Sequence, residues 1–110
     1  MESRSARDGA FVAVGSARLP RTLSGDLAGV LLVELSLDPR TGHIVDVYAS
    51  VPLPGYAELL RRLLVGRRLC DAQLAFDELG QHLRGPLLKP TVAALTDALA
   101  NGVSHTDHED

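Results

Sequence analysis

The chain has 110 residues and a mass of 11.7 kDa, the size of one compact domain and enough to bury a core without disulfides or a structural metal. Hydrophobic residues make up 45% and charged residues 23%, a globular balance that argues against wholesale disorder. Eleven basic against fourteen acidic side chains leave a net charge of −3, which argues against nucleic acid as a partner, because phosphate affinity comes from clustered positive charge.

One cysteine, Cys70, excludes an internal disulfide and a Cys-rich zinc or iron–sulfur site within the chain, and its natural setting is a reducing compartment. No apolar h-region of the kind a secretory signal requires follows the Arg-bearing start M-E-S-R-S-A-R-D-G. The apolar stretch Val30 to Val33 falls far short of the ~20 residues of a membrane span. These features predict a cytoplasmic protein with no membrane partner. Ten arginines to one lysine, with abundant Ala, Leu, Gly and Val, match the composition of a GC-rich bacterial genome.

Residues 1–8 are polar and aperiodic and read as a disordered arm. From Ala10 to Leu19 the chain is apolar without helical period and stops at Pro20, so a strand is expected, with Gly15 as a bulge or a point of close backbone approach. Residues 21–27 read as a polar connector or short turn. Ala28 to Leu37 alternates, with Leu31, Val33, Leu35 and Leu37 on one face and Val30, Leu32, Glu34 and Ser36 on the other. D-P-R-T-G over 38–42 supplies turn residues for a hairpin. The returning strand, His43 to Val51, is predicted to place Val45, Val47, Ala49 and Val51 on one face and Ile44, Asp46, Tyr48 and Ser50 on the other.

The period then changes to 3.6. Tyr56, Leu59, Leu60, Leu63 and Leu64 form the stripe of a helix that opens near Pro54 and stops at Gly66. A second helix is expected from about Asp71 to Leu83, burying Ala72, Ala75, Phe76, Leu79 and Leu83, with Arg84-Gly85-Pro86 as its break. A third carries Leu88, Val92, Leu95 and Leu99 inward, starts at Pro86 or Pro90, and ends at Asn101-Gly102. The domain is thus expected over 9–102, and 103–110 as a disordered tail.

Strands followed by helices predict an α+β domain: a three-stranded antiparallel sheet with three helices packed on one face. The opposite face would then expose Val30, Leu32, Ile44 and Tyr48, with either Phe11 or Val12 and Val14 from the first strand. An apolar patch of that size on a lone domain usually marks an interface, so a homo-oligomer formed through the open sheet face is expected, the alternative being a longer connector folded back over it.

G-S-A-R-L-P (15–20), G-V-L-L-V-E-L-S-L-D-P-R-T-G-H-I-V-D (29–46), L-L-V-G-R-R-L (63–69) and H-L-R-G-P-L-L-K (82–89) occur in that order. Together they resemble a family of small bacterial domains of unknown function, over about residues 10–100, a family that brings no established activity. A more distant similarity is to the iron–sulfur cluster assembly scaffold family, which implies three antiparallel strands and packed helices. Cluster binding does not carry over: the cysteine positions of that family fall near Pro54 and near Gly85 to Leu87, where this chain has no thiolate.

His105, Asp107 and His108 lie in the polar tail with nothing to fix a metal geometry, and no metal or other cofactor is expected. Cys70, expected at a helix start, reads as a small structural residue beside Asp71 rather than a nucleophile. Arg84, Gly85 and Lys89 surround a helix start, where free N–H groups can hold a phosphate or carboxylate. Asp46 and Tyr48 sit mid-strand on the open face, and Asp46 is expected to pair with Arg18, which ends the first strand, either across the sheet or across a subunit boundary. The arginines at 61, 62, 67 and 68 read as a solvated face and a complement to the helix dipole. The reading of the sequence is a non-enzymatic cytoplasmic homo-oligomer that binds a small anion or a partner protein through Arg18, Asp46, Tyr48, Arg84, Gly85 and Lys89. The alternative is a small enzyme assembled between subunits from Asp46, Tyr48, Arg18 or Lys89.

Overall fold

The alternation of Leu31, Val33, Leu35 and Leu37 with polar or exposed neighbours becomes strand β2, Val30–Leu37, in the computed structural model, which describes residues 11–20 and 29–109, with side chains described through residue 103. The arm expected over 1–8 and the connector over 21–27 lie outside the described residues. Strand β1 is Phe11–Arg18 and β3 is Ile44–Ala49, in the order β1-β2-β3 with both pairings antiparallel. Asp38 holds the β2–β3 turn: its carbonyl accepts from Gly42 N–H (2.8 Å), its own N–H donates to the His43 carbonyl (2.9 Å), and Gly42 takes a φ of 78°. That left-handed conformation suits glycine, which explains the T-G pair at this point.

Helix α1 is Pro54–Leu64, α2 is Leu74–His82 and α3 is Leu88–Glu109. All three lie on one side of the sheet, α3 across β1 and β2, α1 across β3, and α2 against both α1 and α3. The core is where the alternation placed it: Leu31, Val33, Leu35 and Leu37 are fully buried under Leu60, Leu64, Leu79 and Leu95. Pro54 occupies the first turn of α1, where no N–H is needed, and Gly66 ends the helix with a φ of 94°.

Gly15 is a point of close approach and not a bulge. A Cβ there would overlap the Ala94 carbonyl and the Ala98 backbone, so the sequence leaves the side chain out and lets α3 lie directly on β1. Ala94 and Ala98, both fully buried, are the matching small residues on the helix.

Four expectations need correction. The face assignment of β3 flips at its start: a bulge between Ser36 and Leu37 pairs Leu37 with Ile44 and Ser36 with Asp46, leaving Val45 as the extra residue. Ile44 is therefore buried and Val45 exposed, the reverse of strict alternation. The second helix begins at Leu74, not Asp71, behind a single 3-10 turn over Leu69–Asp71 that holds the exposed Cys70. The third helix starts at Leu88, so neither Pro86 nor Pro90 is its first residue; Pro90 sits in the first turn, where its missing N–H has no intrahelical acceptor to lose. That helix also runs through Asn101-Gly102 to Glu109, so the polar segment expected as a tail from 103 has helical backbone to that point. Gly102 is not a stop because it serves packing: a Cβ there would press on Leu37 Cδ1 at 3.0 Å and Leu69 Cδ2 at 3.3 Å.

Candidate functional site

Strand register builds the face opposite the helices row by row. Arg18 lies beside Val30, Ser16 beside Leu32, Val14 beside Glu34 beside Tyr48, and Val12 beside Ser36 beside Asp46. Val12, Val14, Val30, Leu32 and Tyr48 are between 41% and 69% exposed, so five large apolar side chains share one uncovered surface. Val12 and Val14, and not Phe11, supply the contribution of β1, and Val45 stands at the margin in place of the expected Ile44. Glu34, half-buried in the middle of this surface, and the exposed Arg18 at its end make no ion pair among the described residues.

The two edges of the sheet are treated differently from this face. On β1, Leu19 donates inward to Gly29, so the even-numbered residues turn their backbone groups outward. Two of these groups are taken by side chains of α3: Ser16 N–H donates to Asp97 Oδ2 (3.0 Å) and Asn101 Nδ2 donates to the Val14 carbonyl (2.7 Å). Asp97 and Asn101 are four residues apart and thus on one helical face beside Ala94 and Ala98. On β3, Ile44 exchanges bonds with the chain beyond α1, donating to the Arg67 carbonyl and accepting from Gly66 N–H, both at 2.8 Å. Further along, Asp46 Oδ1 accepts the N–H of Val47 at 2.9 Å. Such contacts discourage another strand from adding at either edge.

The Asp46–Arg18 pair expected across the sheet does not form within the chain. Arg18 belongs to the β1 edge and the Val30 row, whereas Asp46 belongs to the β3 edge and the Ser36 row, three rows away. Asp46 instead meets Arg61 Nε of α1 at 3.6 Å. Both side chains are partly exposed, so the contact orients more than it stabilises. Asp46 and Tyr48 line a groove of about 390 Å³ between β3 and the start of α1, walled by Val51, Leu53, Pro54 and Leu60.

At the opposite edge, Arg18 and Lys89 come together along a shallow cleft of about 520 Å³ with Ser16, Pro20, Pro90 and Ala93. Arg84 and Gly85 do not line it; Gly85, with a φ of 106°, turns the chain from α2 toward α3, and Arg84 is exposed. The six candidate residues therefore divide among the two sheet edges and the α2–α3 turn and form no single constellation.

The remaining polar features are structural. Arg67 donates from Nε to the Leu63 carbonyl in the last turn of α1 (2.7 Å) and pairs with Glu78 of α2 at 3.1 Å, so it pins two helices together as well as complementing the dipole. Tyr56 of α1 and Thr91 of α3 share a buried hydroxyl–hydroxyl bond of 2.7 Å. Burial pushes the Tyr56 phenol above its ordinary value, with the Thr91 bond working in the other direction.

Sequence reasoning missed the edge contacts of Asp97 and Asn101, the Asp46 contact with Val47, and the groove under α1. The first had a local trace, two polar residues at i, i+4 next to the small-residue stripe of α3. The others depend on which strand is an edge, which is a property of the assembled sheet. Among the described residues no helix is long and apolar enough to cross a membrane. No protein-family model, curated protein or solved structure matches the chain.

Proposed function

We propose that this chain is a non-enzymatic, self-associating module whose open sheet face pairs with the same face of a second copy. The observation that carries the reading is the surface formed by Val12, Val14, Val30, Leu32 and Tyr48, which the helix layer leaves uncovered. An apolar surface of this kind loses free energy to water at roughly 25 cal/mol per Å², and a protein–protein contact recovers it. The side-chain contacts at both edges support association through the face over association through strand addition. A cytoplasmic, reducing compartment suits the lone, exposed Cys70.

Light scattering on the wild type and on Leu32→Asp tests this reading. A dimer or higher oligomer that falls to monomer in the variant, with helical circular dichroism unchanged, supports it. A wild type that scatters as a monomer at high concentration overturns it.

The cleft between Arg18 and Lys89 supports a second role for the same module, capture of a small carboxylate or phosphate. Thermal-shift titration with inorganic phosphate and simple dicarboxylates tests that role: stabilisation removed by Lys89→Ala supports it, and no shift with any of them ends it. Turnover that is lost in Asp46→Asn while assembly persists would replace the non-enzymatic reading with an enzyme built between subunits.

A further inference from the structure

Glu34 is the central charge of the open face, flanked by Val14 and Tyr48 in its own row and with Leu32 two residues back along β2. Covering it with apolar surface alone would strip its water and give nothing in return, a penalty that an unpaired ion cannot recover. Whatever covers this face must therefore bring a cation to Glu34. Among the described residues, Arg18 is the one cation that the register places on the face, and it makes no ion pair with any of them. Within one chain it lies four residues along the strand direction from Glu34, about 13 Å at the usual rise, and one strand aside.

Leu32 lies midway between the two rows: Arg18 is aligned with Val30, two residues before it, and Glu34 follows two residues after. Two symmetric ways of stacking this face on itself along aligned strands then differ sharply. A two-fold axis running along the strands lays β2 on the partner's β2 row by row, and sets Glu34 against Glu34 of the partner subunit. An axis across the strands at Leu32 lays the Arg18 row over the row of the partner's Glu34, twice by symmetry, with Leu32 against its counterpart at the centre. Only the second arrangement puts a cation beside each central carboxylate.

We infer that the second copy docks through this second arrangement, with Arg18 of each subunit paired to Glu34 of the partner subunit. The inference rests on the self-association reading and adds its orientation and its specificity-determining charges. Both side chains sit on the solvent side of the sheet, so reversing them leaves the helix-covered core intact.

The dissociation constants of Arg18→Glu, Glu34→Arg and the combined R18E/E34R chain, measured by sedimentation equilibrium beside the wild type, test it. Each single reversal is expected to weaken association about tenfold or more, and the combined variant to return to within about threefold of the wild type, because the pair is restored with its signs exchanged. Equal volumes of the two single variants, once mixed, should recover association that neither variant shows alone, since a mixed dimer sets a glutamate against an arginine at both contacts whereas each single variant paired with itself sets like charges together at both. A combined variant as weak as the single ones, or single variants that dimerise like the wild type, overturns the orientation while leaving face-to-face association standing. A wild type that stays monomeric overturns both.

Discussion

The same three strands present two surfaces of opposite character. On the helix side, Leu31, Val33, Leu35 and Leu37 are wholly buried and matched by small residues where α3 comes closest, at Gly15 against Ala94 and Ala98. On the other side, residues one position along each strand are as apolar as many core residues but stay uncovered by the helices, and a glutamate sits among them. The strand edges resemble neither surface, since side chains of Asp97, Asn101 and Asp46 occupy backbone groups that could otherwise pair with another strand. Guarded edges beside a bare face are the arrangement that the proposed association through that face calls for.

Substitutions on the two sides should separate by size. Gly15→Val puts side-chain atoms where the backbone of α3 already lies, and should cost upward of about 3 kcal/mol, beyond ordinary overpacking, read as a collapse of the urea midpoint. Leu35→Ala should cost about 2–5 kcal/mol by opening a cavity under the helices. Leu32→Ala, on the bare side of the same strand, should cost the dilute, monomeric chain less than about 1 kcal/mol while weakening association measurably. Equal destabilisation by the two leucine truncations would erase the distinction between the surfaces.

The buried Tyr56–Thr91 pair gives a smaller effect with a pH signature. Tyr56→Phe should cost about 1–2 kcal/mol, because the Thr91 hydroxyl loses its partner in the core. Since the folded state raises the phenol above its ordinary value near 10, the unfolded chain releases that proton first as pH rises. Stability from this group is therefore fully present below about pH 10 and falls above it, and Tyr56→Phe should flatten that decline in denaturation curves. Smaller than the Tyr56 effect, Asn101→Ala should cost about 0.5–1.5 kcal/mol by freeing the Val14 carbonyl. Combined with Asp97→Ala, it should also produce species larger than the wild-type assembly on gel filtration, as the β1 edge becomes available.

Much of this fold could be read from local pattern. The alternation from Leu31 through Val33 and Leu35 to Leu37 set β2 and its two faces, Asp38 to Gly42 set the turn, and the Tyr56–Leu64 stripe set α1. The misses came where a local pattern served a distant partner. Gly102 reads as a helix terminator until Leu37 and Leu69 are seen against it, and Val45 reads as buried until the bulge shifts it outward. Asp46 reads as the partner of Arg18 because both are charges on one apolar face; the register that keeps them apart, and the approach of Arg61 from α1, exist only in the folded chain. The candidate site was legible as a surface and not as a constellation: the bare face followed from alternation, whereas the guarding of its edges followed from tertiary contacts.

Sedimentation velocity of the wild-type chain over a concentration series from micromolar to near-millimolar tests the central claim most directly. The expected boundary moves, with rising concentration, to at least twice the 11.7 kDa mass of one chain. A single boundary at the mass of one chain throughout the series would contradict it.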